Sequence, residues 1–481
     1  MEKLIFEYHS QSTAYVPGSE TAARKKYIPA EYLAAEELVL PQAAEQDVIR
    51  HFTALSRLNF SVDTGFYPLG SCTMKYNPKV NESVADLDGL AGIHPYAPED
   101  CVQGALALIY ELEGFLKEVS GFAGMTLQPA AGAHGEITGI LLIKAYHQQH
   151  HPEQKRTVIL VPDTAHGTNP ASAALAGYQV RQVKSDSQGD IDLEDLRQNL
   201  GPDVAALMLT NPNTLGLFEK NILEVSRLVH DNGALLYGDG ANFNALLGLV
   251  KPAELGFDIM HFNLHKTFST PHGGGGPGAG AVGTNNELIP FLPIPRVNKK
   301  GNKYSWDYQQ KDSIGKVRSC YGNFLIAVRA YAYFLALGAE GIAKVGRQSI
   351  LNANYLMHKL ENYFPRPYPR LCMHEFVMTP HHDWEVSTLD IAKRIIDYGF
   401  HPPTIYFPLI VHEAMMIEPT ETETKETMDA FAAALVRIAA EASREPELLK
   451  KAPQNSPVGR IDEARAGRQL ILKYEKRRDA R

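Results

Sequence analysis

Five short apolar runs recur between residues 156 and 284, and helical patterns lie between several of them. The runs are RTVILVPD (156–163), VAALMLTNPN (204–213), GALLYGDG (233–240), DIMHFNLHK (258–266) and GAGAVGT (278–284). The segment at 218–233, FEKNILEVSRLVHDNG, has the helical pattern. Near-continuous apolar strands separated by helices indicate a mostly parallel sheet that is covered on both faces. The sequence therefore predicts an α/β fold.

The rest of the chain divides around this region. Residues 1–90 are rich in Pro, Tyr and turn residues, which predicts an irregular N-terminal arm with short helices. Residues 91–325 form a predicted large domain that begins with a helix at 99–120, and residues 326–445 form a predicted smaller α/β domain. The smaller domain has a long helix from about 322 to 364, strands at HEFVMTP and MMIEPT, and helices at 386–399 and through 442. Residues 446–481 are predicted to be a polar, partly helical extension.

Composition excludes several classes of protein. The 481 residues are 44% hydrophobic, which is enough for a substantial core. Lys and Arg total 47 against 55 Asp and Glu, so the chain has no overall basic field for nucleic acid. The four cysteines have neither a disulfide framework nor metal-ligand spacing, which indicates a reducing compartment. Because no run approaches a membrane span and MEKLIFEYHS lacks a cleavage site, we expect a cytoplasmic protein without membrane contact.

Polar turns directly follow four of the predicted strands. They lie at residues 162–170, 210–216, 239–242 and from 265 onward. In an open parallel sheet, ligands bind in the crevice beyond the carboxyl ends of the strands. These turns are therefore predicted to line one site.

Lys266 and Asp239 are the candidate catalytic pair. Each residue alone has an ordinary interpretation, an exposed strand-end lysine and a turn or N-cap aspartate. Together they have the two groups that pyridoxal phosphate requires, an amine that forms an imine and a carboxylate that binds the pyridinium nitrogen. A partly desolvated ammonium next to cationic groups loses its proton more readily than a solvated one, and an ionised Asp239 would keep the ring nitrogen protonated.

Two further turns contribute candidate cofactor contacts. His166, in VPDTAHGTNPAS, is predicted to stack its aromatic face on the cofactor ring, or else to cap a turn. PAAGAHGEITGILL places small residues at Ala131, Gly132 and Ala133 before an amphipathic helix, where backbone amides bind phosphate without a basic side chain. The run Gly273–Gly276 is not a Walker loop, because no Gly-Lys-Ser/Thr follows it.

Two turn-rich stretches precede the sheet region. YPLGSCTMKYNP (67–78) and IHPYAPED (93–100) read as surface loops by composition, but their Ser, Thr, His and Tyr side chains suit a polar pocket. Cys72 is either a reactive thiol or a buried small apolar residue.

At this point the sequence resembles a known family. PLGSCTMKYNP, HPYAPED, PAAGAHGE, PDTAHGTNPAS, TNPNTLG, DGANFNA and HKTFSTPHGGGGPG together are similar to the P-protein of the glycine cleavage system, from about residue 60 to beyond 420. This family is a pyridoxal-phosphate glycine dehydrogenase that occurs as one long chain of two homologous halves or as two separate subunits. A chain of this length with the lysine motif resembles subunit 2, the catalytic subunit of the split form.

The resemblance implies a fold, a reaction and a site. The fold is that of the aspartate-aminotransferase-like fold type I enzymes, with a large domain that binds pyridoxal phosphate. The reaction decarboxylates glycine and transfers the aminomethyl group to the lipoyl arm of H-protein, which makes the enzyme an oxidoreductase. A sister subunit 1 is implied in a heterotetramer of two copies of each. Candidate catalytic residues are Lys266, Asp239 and His166. Candidate cofactor contacts are these three with Gly132, Ala133, His134, Thr210, Ala241 and His265, and candidate substrate contacts are Ser71, Thr73 and His94.

Three alternatives stay open from the sequence. Another fold type I enzyme, such as an amino-acid decarboxylase or a cysteine desulfurase, would share Lys266 and Asp239 but would not be expected to have PLGSCTMK and HPYAPED. A noncatalytic scaffold subunit conflicts with the presence of Lys266. A dinucleotide-binding dehydrogenase is disfavoured because no G-x-G-x-x-G opens a helix after an early strand.

Overall fold

The computed structural model describes residues 3–8, 28–32, 43–272 and 278–472. These residues belong to two compact units, one of Gly65–Ala452 and one of Met1–Thr64 with Pro453–Arg481. The run Gly273–Gly276 lies outside the described residues, as does the end of the predicted C-terminal extension from 473 to 481. The predicted domain boundaries at 90, 325 and 445 stay predictions.

The larger unit is built on a seven-stranded sheet with the strand order β1-β7-β6-β5-β4-β2-β3. Strands β2 to β6 are parallel, whereas β7 is antiparallel to both β6 and β1. The strands are β1 Gly124–Thr126, β2 Val158–Pro162, β3 Gln179–Val183, β4 Val204–Thr210, β5 Leu235–Gly240, β6 Ile259–Asn263 and β7 Gly280–Thr284. The predicted α/β fold with a mostly parallel sheet is therefore confirmed.

Helices cover both faces of this sheet. Among the described residues of both units, the α-helices in chain order are α1 Glu45–Arg57, α2 Lys79–Ala85, α3 Asp88–Ala91, α4 Gln103–Ser120, α5 Gly132–His150, α6 Thr168–Leu175, α7 Leu193–Asn199, α8 Ile222–Asp231, α9 Phe324–Leu360, α10 Thr388–Asp397, α11 Lys425–Arg444, α12 Pro446–Lys450 and α13 Glu463–Arg468; α1 and α13 belong to the smaller unit. Every residue of β4 is buried, because one apolar cluster includes Leu207 and Leu209 and another includes Ala206 and Met208. This two-sided burial explains why β4 is continuously apolar rather than alternating.

The C-terminal part of the larger unit has its own sheet and core. The strands are β10 Phe376–Met378, β11 Thr404–Ile405 and β12 Met415–Ile417, in the antiparallel order β10-β12-β11. They pack against α10 and α11 in an apolar cluster that includes Phe376, Ile391 and Phe431. A hairpin of β8 Arg296–Lys300 and β9 Lys303–Asp307 lies between the two sheets in the sequence.

Helix α9 is long, and it is broken at Gly338, where φ is 59°. The span Ser319–Leu360 is long and apolar enough to cross a membrane by length and composition alone, with a mean hydropathy of 1.4. Val328, Tyr333 and Val345 of this helix are nevertheless buried in the core of the large sheet. A core helix of a globular protein packs in this way, so the helix is weak evidence for a membrane span.

The smaller unit has little regular structure in its described residues. Helix α1 has His51 as its buried residue, and the His51 ring makes edge contacts with Tyr8 and Phe52. Helix α13 begins after Asp462, whose side chain accepts a hydrogen bond from the Arg465 amide. Short 3-10 helices occur across both units at Ile5–Glu7, Ala30–Tyr32, Glu99–Cys101, Phe243–Ala245, Pro252–Leu255, Ile289–Phe291 and Ser319–Tyr321.

Candidate active site

The carboxyl ends of β4, β5 and β6 bring the predicted polar residues to one edge of the sheet. In the strand register Thr210 is opposite Asp239, and Asp239 is opposite His261. Lys266 follows β6 by three residues, and its amide donates a hydrogen bond to the Asn263 carbonyl. The turns after neighbouring strands therefore meet as the parallel sheet requires.

Asp239 is buried and has several partners for its charge. Its Oδ2 accepts from Asn169 Nδ2 at 2.9 Å, and its Oδ1 accepts from the Ala241 amide at 2.9 Å. His261 Nε2 lies 3.2 Å from Oδ1. Burial by itself would raise the pKa of Asp239, but His261, these two hydrogen bonds and Lys266 outweigh burial and lower that pKa. The carboxylate is therefore ionised at neutral pH.

His261 is a functional candidate that the sequence analysis missed. It is 1% exposed in β6, and its Nδ1 lies 2.8 Å from the Tyr237 hydroxyl. Burial, followed by the charges of Glu136 and Asp239, raises the pKa of Tyr237 well above its usual value, so the phenol keeps its proton and donates to Nδ1. This bond leaves the Nε2 proton of His261 facing Asp239. A histidine inside the apolar run DIMHFNLHK was a signal, because buried polar groups need partners.

Lys266 is half-buried rather than an exposed strand-end lysine. Its Nζ donates to the Ser71 carbonyl oxygen at 2.8 Å. After His261 and the two hydrogen bonds, the Lys266 charge also contributes to the lowered pKa of Asp239. The amine and the carboxylate thus share the edge at which the sequence predicted a ligand.

The turn at residues 131–133 begins helix α5. Ala131 is the N-cap and has no side-chain capping bond, so the amides of Gly132, Ala133 and His134 have no partner within the helix. His134 Nδ1 accepts from the Ala130 amide at 3.1 Å, and burial, followed by the charge of Arg318, lowers the pKa of His134. Unpaired amides at the positive end of a helix dipole favour an anion such as a phosphate group.

His166 is linked to this edge through a short chain of side chains. The ring is exposed, and its Nδ1 lies 3.0 Å from Thr168 Oγ1. Thr168 Oγ1 donates to Glu136 at 2.9 Å, and Glu136 belongs to one close group with Asp239 and His261. Phe407 meets the His166 ring edge-on, with 5.4 Å between the ring centroids. The stacking role of His166 stays a prediction.

Several buried polar atoms at or just after the carboxyl ends of β4, β5 and β6, and one of Asn169, which binds Asp239, have no hydrogen-bond partner among the described residues. They are Asn169 Oδ1, Thr210 Oγ1, Asn242 Oδ1, Asn263 Oδ1, Thr267 Oγ1 and Thr270 Oγ1. Unsatisfied buried polar atoms are rare and call for a missing partner. Together with the ionised carboxylate, the amine and the free helix terminus, these atoms fit a polar aromatic phosphate ligand.

Two neutral histidines adjoin Lys266. His265 Nδ1 donates to the Ala279 carbonyl at 3.1 Å, and His272 Nε2 donates to the Cys72 carbonyl at 3.0 Å. Burial first, and then the charges of His272 and Lys266, lower the pKa of His265 to about 3. Burial and Lys266 lower the pKa of His272 to about 4. Both rings are therefore uncharged at neutral pH.

The predicted substrate contacts are divided between two places. Ser71 and Thr73 lie beside Lys266, and their amides donate to Glu375 at 2.6 Å and to Glu418 at 2.9 Å. His94 is exposed, accepts from the Tyr96 amide at 3.1 Å and lines a separate cavity of about 280 Å³. Lys266, Asp239 and His166 do not line that cavity.

Comparison with known proteins identifies the class of this site. The family model described as class-V aminotransferase matches residues 137–293, and the model described as glycine dehydrogenase, C-terminal domain, matches residues 345–457. The fold also matches that of a crystal structure of glycine decarboxylase (P-protein) in inhibitor-bound form, with a TM-score of 0.73, 20% identity, and coverage of 87% of this chain and 95% of that chain. The chain is a fold type I enzyme that depends on pyridoxal phosphate.

Curated relatives narrow the class to one family. A probable glycine dehydrogenase (decarboxylating) subunit 2 of Caldanaerobacter subterraneus is 58% identical over 451 residues, which cover 93% of each chain. Its counterpart in Alkaliphilus oremlandii is 56% identical over 480 residues, which cover 98% of each chain. The chain belongs to the glycine dehydrogenase (decarboxylating) subunit 2 family. The predicted resemblance is confirmed, and the cysteine desulfurase and amino-acid decarboxylase alternatives are less supported.

Proposed function

We propose that the chain decarboxylates glycine at Lys266 and Asp239 and transfers the aminomethyl group to the lipoyl arm of H-protein. The observation that carries this proposal is that the buried carboxylate of Asp239 and the half-buried amine of Lys266 lie at the carboxyl ends of the neighbouring parallel strands β5 and β6. Membership of the glycine dehydrogenase (decarboxylating) subunit 2 family supplies the reaction.

Different groups of the chain would bind different parts of the cofactor. Pyridoxal phosphate, when bound, supplies a carbonyl that condenses with an amine and a ring that withdraws electrons from the carbon that loses carbon dioxide. Lys266 would attach it covalently, and Asp239 would hold the protonated ring nitrogen. The amides of Gly132, Ala133 and His134 would bind the phosphate, and His166 would stack on the ring.

His261 and Tyr237 would orient Asp239 and stabilise its charge, without contacting the substrate. The Tyr237 hydroxyl fixes the tautomer of His261, and the remaining ring N–H of His261 points at the Asp239 carboxylate. This arrangement orients the carboxylate and favours its charged form in a buried site. Thr210 and Ala241 flank the same carboxylate, and the Ala241 amide is one of its donors.

The overall reaction balances without an external oxidant. The bond between the glycine α-carbon and its carboxyl group breaks, carbon dioxide leaves, and the electron pair of that bond forms a new bond to one lipoyl sulfur. The lipoyl disulfide breaks, and the second sulfur takes a proton. The neutral state of His265 and His272 limits the positive charge near Lys266. A site that excludes water would limit stray protonation of the reacting carbon.

The subunit 2 designation of the relatives implies a partner subunit 1. The heterotetramer of two copies of each subunit, the docking of H-protein and the cytoplasmic location are parts of this proposal. Net charge −8 is consistent with the absence of a nucleic-acid partner.

The exchange of labelled bicarbonate into glycine tests the proposal, because it reports the reversible decarboxylation. We expect exchange by the wild-type chain with subunit 1 and H-protein, and nearly none when either protein is omitted.

Lys266→Ala should abolish exchange and the borohydride-reducible chromophore. Retention of that chromophore in Lys266→Ala would refute the assignment of the lysine. Full exchange by the purified chain alone would refute the need for subunit 1.

A further inference from the structure

The segment Gly70–Tyr76 crosses the site in a constrained conformation. Ser71 and Thr73 have positive φ values of 64° and 47°, which are unfavourable for residues other than glycine and most unfavourable for a β-branched residue. The Ser71 carbonyl accepts the hydrogen bond from Lys266 Nζ at 2.8 Å. A conformation of this kind persists only where the surrounding contacts enforce it.

Three glutamates from the C-terminal part of the larger unit bind one side of this segment. Glu375, just before β10, accepts from the Ser71 amide at 2.6 Å. Glu418, just after β12, accepts from both the amide and the hydroxyl of Thr73, at 2.9 and 2.7 Å. Glu421 pairs with Lys75 Nζ at 2.7 Å. Residues 71, 73 and 75, which alternate along the segment, therefore each bind a different carboxyl group.

The other side of the segment binds the chain around Lys266. Lys75 Nζ also donates to the Thr267 carbonyl at 2.6 Å. Ser269 Oγ donates to the Tyr76 carbonyl at 2.7 Å, and His272 Nε2 donates to the Cys72 carbonyl. The segment thus connects the three glutamates to the residues that follow β6.

We propose that Glu375 and Glu418 are positioning residues that fix Lys266 through the segment Gly70–Tyr76. Neither glutamate needs to touch the substrate in this role, because each holds an amide of the turn that accepts the Lys266 hydrogen bond. The inference rests on the proposed function of Lys266 as the residue that attaches the cofactor. It also gives Ser71 and Thr73 a different role from the substrate contacts that the sequence predicted.

The protonation of the two glutamates agrees with this role. Both are fully buried, and burial followed by the Glu418 charge raises the pKa of Glu375 well above its usual value. Burial raises the pKa of Glu418 to about 7, against the lowering effect of its bonds from Thr73. Glu375 is therefore protonated at neutral pH, and glutamine has the same shape and the same acceptor oxygen.

A metal ion at the same place is the competing interpretation. His374, Glu375 and Glu418 offer ligand atoms within 4.8 Å of one another, and neither ring nitrogen of the buried His374 has a hydrogen-bond partner among the described residues. However, the Ser71 and Thr73 donors already occupy oxygens of both carboxyl groups. Burial, followed by the Lys266 charge, lowers the pKa of His374, and a cation at this place would be repelled by that charge.

The test measures two rates in each variant and compares them with wild type. One is the rate at which the chain covalently attaches pyridoxal phosphate, and the other is the rate of amide hydrogen exchange in the segment Gly70–Tyr76 of the cofactor-free chain. Glu375→Met removes the acceptor for the Ser71 amide, and Glu375→Gln keeps it. Glu219→Met is the matched control, because Glu219 is equally buried and accepts from the Ile191 and Asn221 amides, away from Lys266. Thr73→Val removes only the hydroxyl that donates to Glu418 and keeps the branched shape. It therefore tests the positioning role even if Glu375→Met does not fold.

In Glu375→Met, we expect hydrogen exchange at the Ser71 amide to become about tenfold faster or more. Covalent attachment of pyridoxal phosphate to this variant should become about tenfold slower or more. Glu375→Gln and Glu219→Met should remain within about twofold of the wild type, and Thr73→Val should slow attachment about threefold with an unchanged KM for glycine. Attachment within about twofold of wild type in Glu375→Met would overturn the proposal. A raised KM for glycine in Thr73→Val with unchanged attachment would also overturn it, as would slower attachment of the wild-type chain after chelation.

Peptide mapping after borohydride reduction separates this inference from the function on which it rests. A labelled lysine other than Lys266 would refute the proposed function. A labelled Lys266 whose attachment rate does not respond to Glu375→Met would refute the positioning role alone.

Discussion

At the scale of single residues, the charge of Asp239 is the property most open to test. Asp239→Asn keeps the shape of the side chain but removes the charge that would hold the ring nitrogen protonated. A charge-assisted hydrogen bond contributes about 1.5–3 kcal/mol, so we expect decarboxylation to slow by about ten- to a hundredfold while cofactor binding is largely retained. Bicarbonate exchange measures the first effect and cofactor titration the second. Unimpaired exchange would contradict the electron-withdrawing role of the ring that Asp239 is proposed to support.

Lys266 and Asp239 could be found from the sequence because the carboxyl ends of parallel strands converge: Asp239 lies at the end of β5, and Lys266 follows β6 by three residues. Glu375 and Glu418 could not be found in this way. Their partners Ser71 and Thr73 are 304 and 345 residues away in the chain, and each glutamate merely borders a short strand of the smaller sheet. The roles of the site residues toward the cofactor stay predictions.

At the scale of elements, the start of helix α5 depends on a residue without a side chain. A Cβ on Gly132 would collide with Asn263 Nδ2 at the end of β6. Gly132→Ala should therefore displace either the helix terminus or Asn263, and we expect the dissociation constant for pyridoxal phosphate to rise at least about tenfold. Absorbance titration of the cofactor-free chain measures this constant.

Gly114→Ala in helix α4 is the control for this change, because a Cβ there would meet no atom within 4 Å. Alanine in a helix interior is favourable relative to glycine, so the control should bind the cofactor normally and be slightly more stable. Equal cofactor affinity in both variants would show that the α5 terminus does not bind the phosphate.

Among the strands of the large sheet, those with continuous apolar runs were predictable and the others were not. The edge strand β3, QVRQV, is mostly polar and exposed, so it lacks the burial signal. The run that forms β7 was predicted as a strand, but its antiparallel direction was not. The connection from β6 to β7 has no crossover helix in its described residues 264–272 and 278–279, and such a crossover is what a parallel neighbour requires.

At the scale of the whole molecule, the N-terminal arm shows the limit of sequence patterns. The sequence predicts an irregular arm over residues 1–90, and residues 65–90 of this arm belong to the larger compact unit. Residues 70 to 76 have a fixed structure because they bind Glu375, Glu418 and Glu421, and not because of any local periodicity. Structure that depends on contacts this distant in the chain leaves no periodic signal in the segment itself.

Stability against pH is a property of the whole molecule, and Glu113 gives a clean test of it. Glu113 is buried in helix α4, and burial raises its pKa to about 7 against the lowering effects of Arg296 and Lys117. Because the folded chain binds this proton more tightly than the unfolded chain, stability falls as pH rises from the ordinary value of 4.5 toward 7. Glu113→Gln removes this dependence on pH. The free energy of unfolding of the variant, relative to that of wild type, should therefore rise by up to about 3 kcal/mol between pH 5 and pH 8. Urea unfolding at both pH values measures the gain, and Glu194→Gln, at an exposed position on α7, should not show it. Parallel stability curves for wild type and Glu113→Gln would mean that Glu113 stays ionised in the folded chain, with Arg296 compensating the cost of its burial.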